Sequence, residues 1–81
     1  MIYIDVYLPA VSQTIEVRAN EGRTIGALKE ELCLLARKLL REEEKIIPGF
    51  ELYDDARKEL LPDDRTLFEC GISSGSRLMF F

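Results

Sequence analysis

The chain has 81 residues, of which 47% are hydrophobic and 32% charged, and its formal net charge at neutral pH is −4. This length suits a single domain, residues 1–81, and the composition is that of an ordered globular protein rather than a disordered chain. The acidic balance and the scattered basic residues exclude the usual basis of nucleic-acid binding, which is neutralisation of phosphates. No stretch approaches the roughly 20 apolar residues of a membrane span, so we expect no membrane insertion and a cytoplasmic location.

The first half of the chain predicts a hairpin followed by a helix. Residues 2–8 alternate between apolar and other side chains, residues 15–18 do the same, and Pro9 ends the first strand. Thr24 stands where an N-cap is expected, and the helix is predicted to run from Ile25 to about Glu43. Apolar residues at spacings of three and four predict its buried stripe: Ile25, Leu28, Leu32, Leu35, Ala36 and Leu39.

The second half predicts short strands separated by turns. A third strand is expected at residues 50–53 and a brief fourth strand at Leu60 and Leu61. The last strand has Leu78 and Phe80 as its inward side chains. The order of elements is therefore ββαββ(β), which predicts an α+β protein with one helix covering one sheet.

Particular residues in this order resemble those of ubiquitin. The matching positions are Thr24, Ile25, Leu28, Leu32, Lys58, Glu59, Leu60, Arg65, Thr66, Leu67, Ile72 and Leu78. The chain thus resembles the ubiquitin-like β-grasp fold over essentially its whole length. This resemblance implies a mixed four- to five-stranded sheet packed on one long helix, in which the first strand lies beside the last and the last beside the third.

The segment from Cys70 to Leu78 is similar to the YukD-like family of small bacterial ubiquitin-like proteins. That family goes with type VII (ESX-like) secretion in Gram-positive bacteria. The resemblance implies a cytosolic accessory or regulatory factor whose protein partners belong to the secretion machinery. Because the given sequence ends in Phe80-Phe81 of the last predicted strand, without the slim, flexible Gly-Gly tail of a modifier, we expect no conjugation. A sulfur carrier or modifier remains the alternative if the natural chain extends past Phe81, as does an appended β-grasp domain of a larger protein.

The residue types argue against an enzyme. The chain has no histidine, which is the commonest general base and metal ligand. Cys33 and Cys70 therefore lack a histidine to activate them, and we expect two reduced, packed thiols. The acidic residues at 42–44, 54–55 and 63–64 lack the spacing and the glycine of an EF-hand loop. We expect no catalytic residue, no cofactor and no metal.

The outward side of the predicted sheet is rich in aromatic residues. If alternate strand residues face the helix, the outward set includes Tyr3, Tyr7, Tyr53, Met79 and Phe81. The β-grasp strand order makes the last four adjoin, and the resemblance puts Tyr53 and Phe81 close to two apolar positions of ubiquitin's binding patch. Aromatic residues and methionine are frequent in interface hot spots, so we expect a protein-binding face. A homodimer would use the same face. The alternative is that tyrosines are simply good strand formers.

Overall fold

A five-stranded sheet and one helix make up the part of the chain that the computed structural model describes, residues 1–9, 12–40 and 51–81. The elements are β1 (Ile2–Leu8), β2 (Gln13–Ala19), α1 (Ile25–Leu40), β3 (Leu52–Asp54), β4 (Glu59–Leu60) and β5 (Arg77–Phe80). The strand order is β2-β1-β5-β3-β4, in which β1 and β5 are parallel and all other neighbours antiparallel. The predicted α+β class, the mixed sheet and both neighbours of the last strand are confirmed.

Local signals account for where the hairpin and the helix lie. β1 and β2 pair along seven residues each, from Ile2 opposite Ala19 to Leu8 opposite Gln13. Thr24 caps α1 as predicted, because its Oγ1 accepts a hydrogen bond from the N–H of Ala27 at 3.2 Å. The expected helix residues 41–43 and the expected start of the third strand at residue 50 lie outside the described residues.

The short strands differ from the prediction by one residue. β3 ends at Asp54 rather than Tyr53, and β4 comprises Glu59 and Leu60 rather than Leu60 and Leu61. Asp54 is buried, which its polarity does not predict. Its Oδ1 accepts from the N–H of Ala56 at 3.0 Å, so the buried carboxylate is satisfied by the turn that follows.

The hydrophobic core lies between α1 and the inner face of the sheet. Its most completely buried side chains are Phe80, Ile4, Ile25, Leu28, Leu32, Leu52, Leu67 and Val6. Leu78 and Phe80 both face inward, as predicted. The prediction for Leu35 was wrong, since 38% of this residue is exposed. Leu35 and Val17 of β2 line the same groove, and β2 is an edge strand, so no further strand of the described residues covers Leu35.

Candidate protein-interaction surface

A line of side chains crosses the outer face of the sheet, which is the face away from α1. The strand register pairs them in turn across all five strands: Thr14 with Tyr7, Tyr7 with Met79, Met79 with Tyr53, and Tyr53 with Leu60. Directly paired residues of neighbouring strands point to the same side of a sheet. These five residues therefore form one continuous line, which we call the cross-strand row.

The cross-strand row is apolar over four strands and is accessible to solvent. Tyr7 is 38% exposed and Leu60 53% exposed, while Met79 and Tyr53 are half-buried. Phe81, which is 37% exposed, lies two residues beyond Met79. Its N–H donates to the carbonyl of Glu51 at 3.0 Å and its carbonyl accepts from the N–H of Glu51 at 2.7 Å. Phe81 thus continues the ladder between β3 and β5 and enlarges the apolar surface beside the row.

The structure brings together four of the five side chains predicted for this surface: Tyr7, Tyr53, Met79 and Phe81. Tyr3 is on the same face and is 50% exposed, but it lies opposite Arg18 near the other end of β1. Asp5 comes between Tyr3 and Tyr7 on this face and is paired with Arg77 of β5. Tyr3 is therefore separated from the apolar surface by charged side chains.

Leu60 is a member of the row that the sequence reasoning missed. A usable signal was present, because adjacent residues of a strand point to opposite sides and only one of two neighbouring leucines can face the core. In the structure Leu61 is 4% exposed and Leu60 is 53% exposed. Leu60 lies opposite Tyr53 in the strand register, and no local sequence pattern predicts that pairing.

Charged side chains border the row on one side. Two residues away from the row on strands β2, β1 and β5, and on the same face, Glu16 lies opposite Asp5 and Asp5 lies opposite Arg77. Asp5 and Arg77 line a groove of about 310 Å³ together with Tyr7 and Thr14 of the row. An apolar centre with a polar, mixed-charge border is the usual anatomy of a protein–protein interface.

The cysteines and the acidic side chains are the remaining candidates for covalent chemistry or metal binding among the described residues. Within residues 1–9, 12–40 and 51–81 no three His, Cys, Asp or Glu side chains are grouped so as to hold a metal ion. In the same part of the chain no helix has the length and apolar character needed to cross a bilayer.

Both cysteines are free, Cys33 half-buried and Cys70 buried. Burial raises the pKa of the Cys70 thiol, and the nearby Arg65 and Arg57 offset only part of this rise. Cys70 is therefore a protonated, poorly nucleophilic thiol at neutral pH.

The layers, the strand order and the register define a ubiquitin-like β-grasp fold. Among solved structures, the ubiquitin-like domain of an Arabidopsis thaliana protein is similar with a TM-score of 0.71 and 27% identity, covering 99% of this chain and 74% of that chain. The ubiquitin of Caldiarchaeum subterraneum is similar with a TM-score of 0.71 and 18% identity, covering 98% of this chain and 89% of that chain.

A third similar structure is AtBAG1 in complex with HSP70, with a TM-score of 0.74 and 13% identity. The match covers 100% of this chain but only 40% of that chain. No family model matches the sequence, and no curated protein matches it either. These similarities support the ubiquitin-like fold, and none of them bears on the YukD-like resemblance of segment 70–78.

Proposed function

We propose that this chain is a non-catalytic ubiquitin-like module that acts by binding a protein through its outer sheet face. The observation that carries the proposal is the cross-strand row, in which Tyr7, Met79, Tyr53 and Leu60 lie in register on four adjacent strands. Covering these side chains with a partner would remove apolar surface from water, which is the main favourable term in association. Tyrosine and methionine are also among the residue types enriched at interfaces.

The row is carried by a scaffold suited to binding without rearrangement. Its members belong to hydrogen-bonded strands, and the inward neighbours Leu52, Leu78 and Phe80 are buried in the core. A tyrosine has only two side-chain torsions to immobilise on binding. The entropic cost of ordering this face in a complex is therefore low, which favours affinity.

The non-catalytic part of the proposal is supported by the chemistry of the two thiols. The chain has no histidine to act as a base, and burial keeps Cys70 protonated through its raised pKa. Cys33 packs against the core from α1. The Cys70 thiol therefore lacks the lowered pKa that a cysteine nucleophile requires.

We extend the proposal to a cytoplasmic accessory or regulatory role in a type VII-like secretion system. The extension is supported by the resemblance of segment 70–78 to the YukD-like family. Gly71 and Gly75 of that segment have φ values of 76° and 91°. Because a positive φ favours glycine in any protein, these two glycines do not count toward the family resemblance. The other residues of the segment support it. A sulfur carrier or modifier and an appended domain of a larger protein are the competing roles.

The experiment is a capture from a lysate of the protein's own cells, using a chain tagged at its N-terminus. Three forms are compared by mass spectrometry: wild type, Tyr53→Arg and Tyr3→Arg. The Tyr3 variant makes the same chemical change on the same face but outside the cross-strand row. We expect Tyr53→Arg to lose proteins that wild type and Tyr3→Arg both retain, while the ¹⁵N–¹H spectra of all three remain those of a folded domain.

The outcomes separate the competing roles. Retention of every partner by Tyr53→Arg would reject the sheet-face proposal. Leu60→Ser, at a more exposed position of the row, gives the same test if the Tyr53 variant does not fold. Membrane or ATPase components of a secretion system among the Tyr53-dependent proteins would support the extended role, and their absence would count against it. A second copy of the chain would indicate a homodimer, and partners that survive denaturation would indicate a covalent carrier.

A further inference from the structure

Two arginines from different turns converge on a groove at the edge of the sheet. Arg57 belongs to the turn between β3 and β4, and Arg65 follows β4. Both line a groove of about 200 Å³ whose apolar wall includes Leu60, Leu61 and Pro62. Leu60 is also the last member of the cross-strand row, so the groove and the row are continuous. We call this site the arginine groove.

The backbone on each side of the arginine groove is held by hydrogen bonds. In the β3–β4 turn the N–H of Lys58 donates to the carbonyl of Asp54 at 2.7 Å. The carbonyl of Arg65 accepts from the N–H of Ile25 at 2.8 Å, which ties Arg65 to the start of α1. The guanidinium of Arg57 lies against Gly71, where the absence of a side chain leaves room for it. Hydrogen bonds therefore hold the backbone segments that carry Arg57 and Arg65 in place.

Neither arginine is neutralised by a carboxylate of the described chain. The ion pairs of the described residues engage Arg23, Lys29, Lys58 and the N-terminus, but not Arg57 or Arg65. Glu69 also lines the groove, but its Oε1 accepts from the N–H of Thr66 at 2.9 Å. The Cys70 thiol lies within the electrostatic influence of both guanidinium groups and also of the carboxylates of Glu69 and Asp54. Among the described residues, Arg57 and Arg65 are thus two cations without an ion-pair partner beside one groove, in a chain whose net charge is −4.

We propose that the arginine groove binds a carboxylate of the protein that covers the cross-strand row. This inference rests on the proposed function. The partner segment carries an apolar side chain that contacts Tyr53 and Leu60, and next to it an Asp or Glu whose carboxylate reaches Arg57 and Arg65. Guanidinium groups bind carboxylates in a planar, two-point geometry, which fixes the orientation of the bound segment.

The groove also limits how much negative charge it accepts. Glu59 and Glu69 line the groove together with the two arginines, and they repel negative charge beyond what Arg57 and Arg65 can offset. One carboxylate therefore fits better than a phosphate dianion or a long acidic tract. The two arginines add charge selectivity to a surface whose affinity comes from apolar contact.

The test uses a random linear dodecapeptide display library as the probe. It is selected against wild type, the Arg57→Gln/Arg65→Gln double variant, Tyr53→Arg and Arg18→Gln. Arg18 is an exposed arginine of β2, far from the groove, and its variant is the matched control. We expect wild type and Arg18→Gln to select peptides with an apolar residue near an Asp or Glu. The double variant should select apolar peptides without the acidic preference, and Tyr53→Arg should not select these peptides.

The affinity of one selected peptide then measures the contact directly. Replacing its acidic residue by the amide should weaken binding to wild type roughly tenfold, since a charged hydrogen-bonded contact is lost. The same replacement should leave binding to the double variant unchanged, as the double-mutant cycle requires for a direct contact.

Three results would overturn the inference. Tyr53-dependent peptides without acidic enrichment would reject the arginine groove while leaving the proposed function intact. Tighter binding of a peptide with phosphoserine in place of the acidic residue would identify a phosphate site instead. If no selected peptide depends on Tyr53, the proposed function fails, and the inference fails with it.

Discussion

Lys29 of α1 donates to Asp63 at 2.6 Å, although only 12% of the lysine side chain is exposed. Lys29 also lies 3.5 Å from the carboxylate of Glu51, which precedes β3. A single helical lysine thus joins α1 to the segment that precedes β3 and to the segment that follows β4. The lysine side chain is largely buried, while 68% of the Asp63 side chain and 42% of the Glu51 side chain are exposed, so water screens these contacts in part.

Lys29→Met should lower the free energy of unfolding by about 1–2 kcal/mol, because the apolar stem is kept while the charged hydrogen bonds are lost. Lys38→Met is the control on the same helix, at an exposed position without an ion pair among the described residues, and should stay within about 0.5 kcal/mol of wild type. Urea denaturation measures both. Equal effects of the two changes would show that the contact with Asp63 contributes nothing.

Gly71→Ala should be destabilising for two reasons. Gly71 has a φ of 76°, where a residue with a Cβ is strained by about 1–2 kcal/mol. The added methyl group would also collide with the guanidinium of Arg57. Arg57→Ala should therefore recover part of the loss when combined with Gly71→Ala, as measured by the free energy of unfolding. Strictly additive effects in this cycle would mean that Arg57 moves aside without cost.

Cys70 should react slowly with thiol reagents at neutral pH. Its side chain is buried, and burial holds its pKa above the ordinary value, so little thiolate is available. Labelling of Cys33→Ser, which retains only Cys70, should be at least about tenfold slower than labelling of Cys70→Ser, which retains Cys33. Equal labelling rates would contradict the burial of Cys70.

The same thiol should make stability fall in alkaline solution. The folded protein keeps this proton to a higher pH than the unfolded chain, in which the pKa is near 9.0. The contribution of Cys70 is therefore complete below that pH and is lost as the pH rises through the raised pKa of the folded state. Comparing unfolding at about pH 8 and about pH 10, Cys70→Ser should lose less stability than wild type. An identical loss would assign the alkaline effect to other groups.

Thr24→Ala should reduce stability by about 1 kcal/mol, because it removes the acceptor for a backbone N–H in the first turn of α1. The donor concerned is the N–H of Ala27, at 3.2 Å from the Thr24 hydroxyl. Thr24→Ser keeps the hydroxyl and should retain most of this stability. Thermal unfolding compares the three proteins, and equal losses for Ala and Ser would show that the hydroxyl is not the cause.

The accuracy of the sequence prediction varied with the amount of periodic pattern available. Alternation over the long β1 and in β5 correctly assigned Ile4, Val6, Leu78 and Phe80 to the core. In a strand of two residues, alternation predicts that one of the neighbouring Leu60 and Leu61 faces outward, but the pattern is too short to show which one. Helical periodicity correctly placed Leu35 on the apolar side of α1. The spacing does not show whether the sheet is wide enough to cover that position.

By itself the sequence determined the α+β class, the hairpin, the start of α1 and the side of the sheet on which Tyr7, Tyr53 and Met79 lie. These properties depend on local chemistry, which is side-chain alternation, helical spacing and an N-cap. Only the tertiary structure decided that Tyr53 stands between Met79 and Leu60, and that Arg57 and Arg65 share one groove. Such contacts depend on strand register and on the exact path of turns, which local sequence patterns leave undetermined.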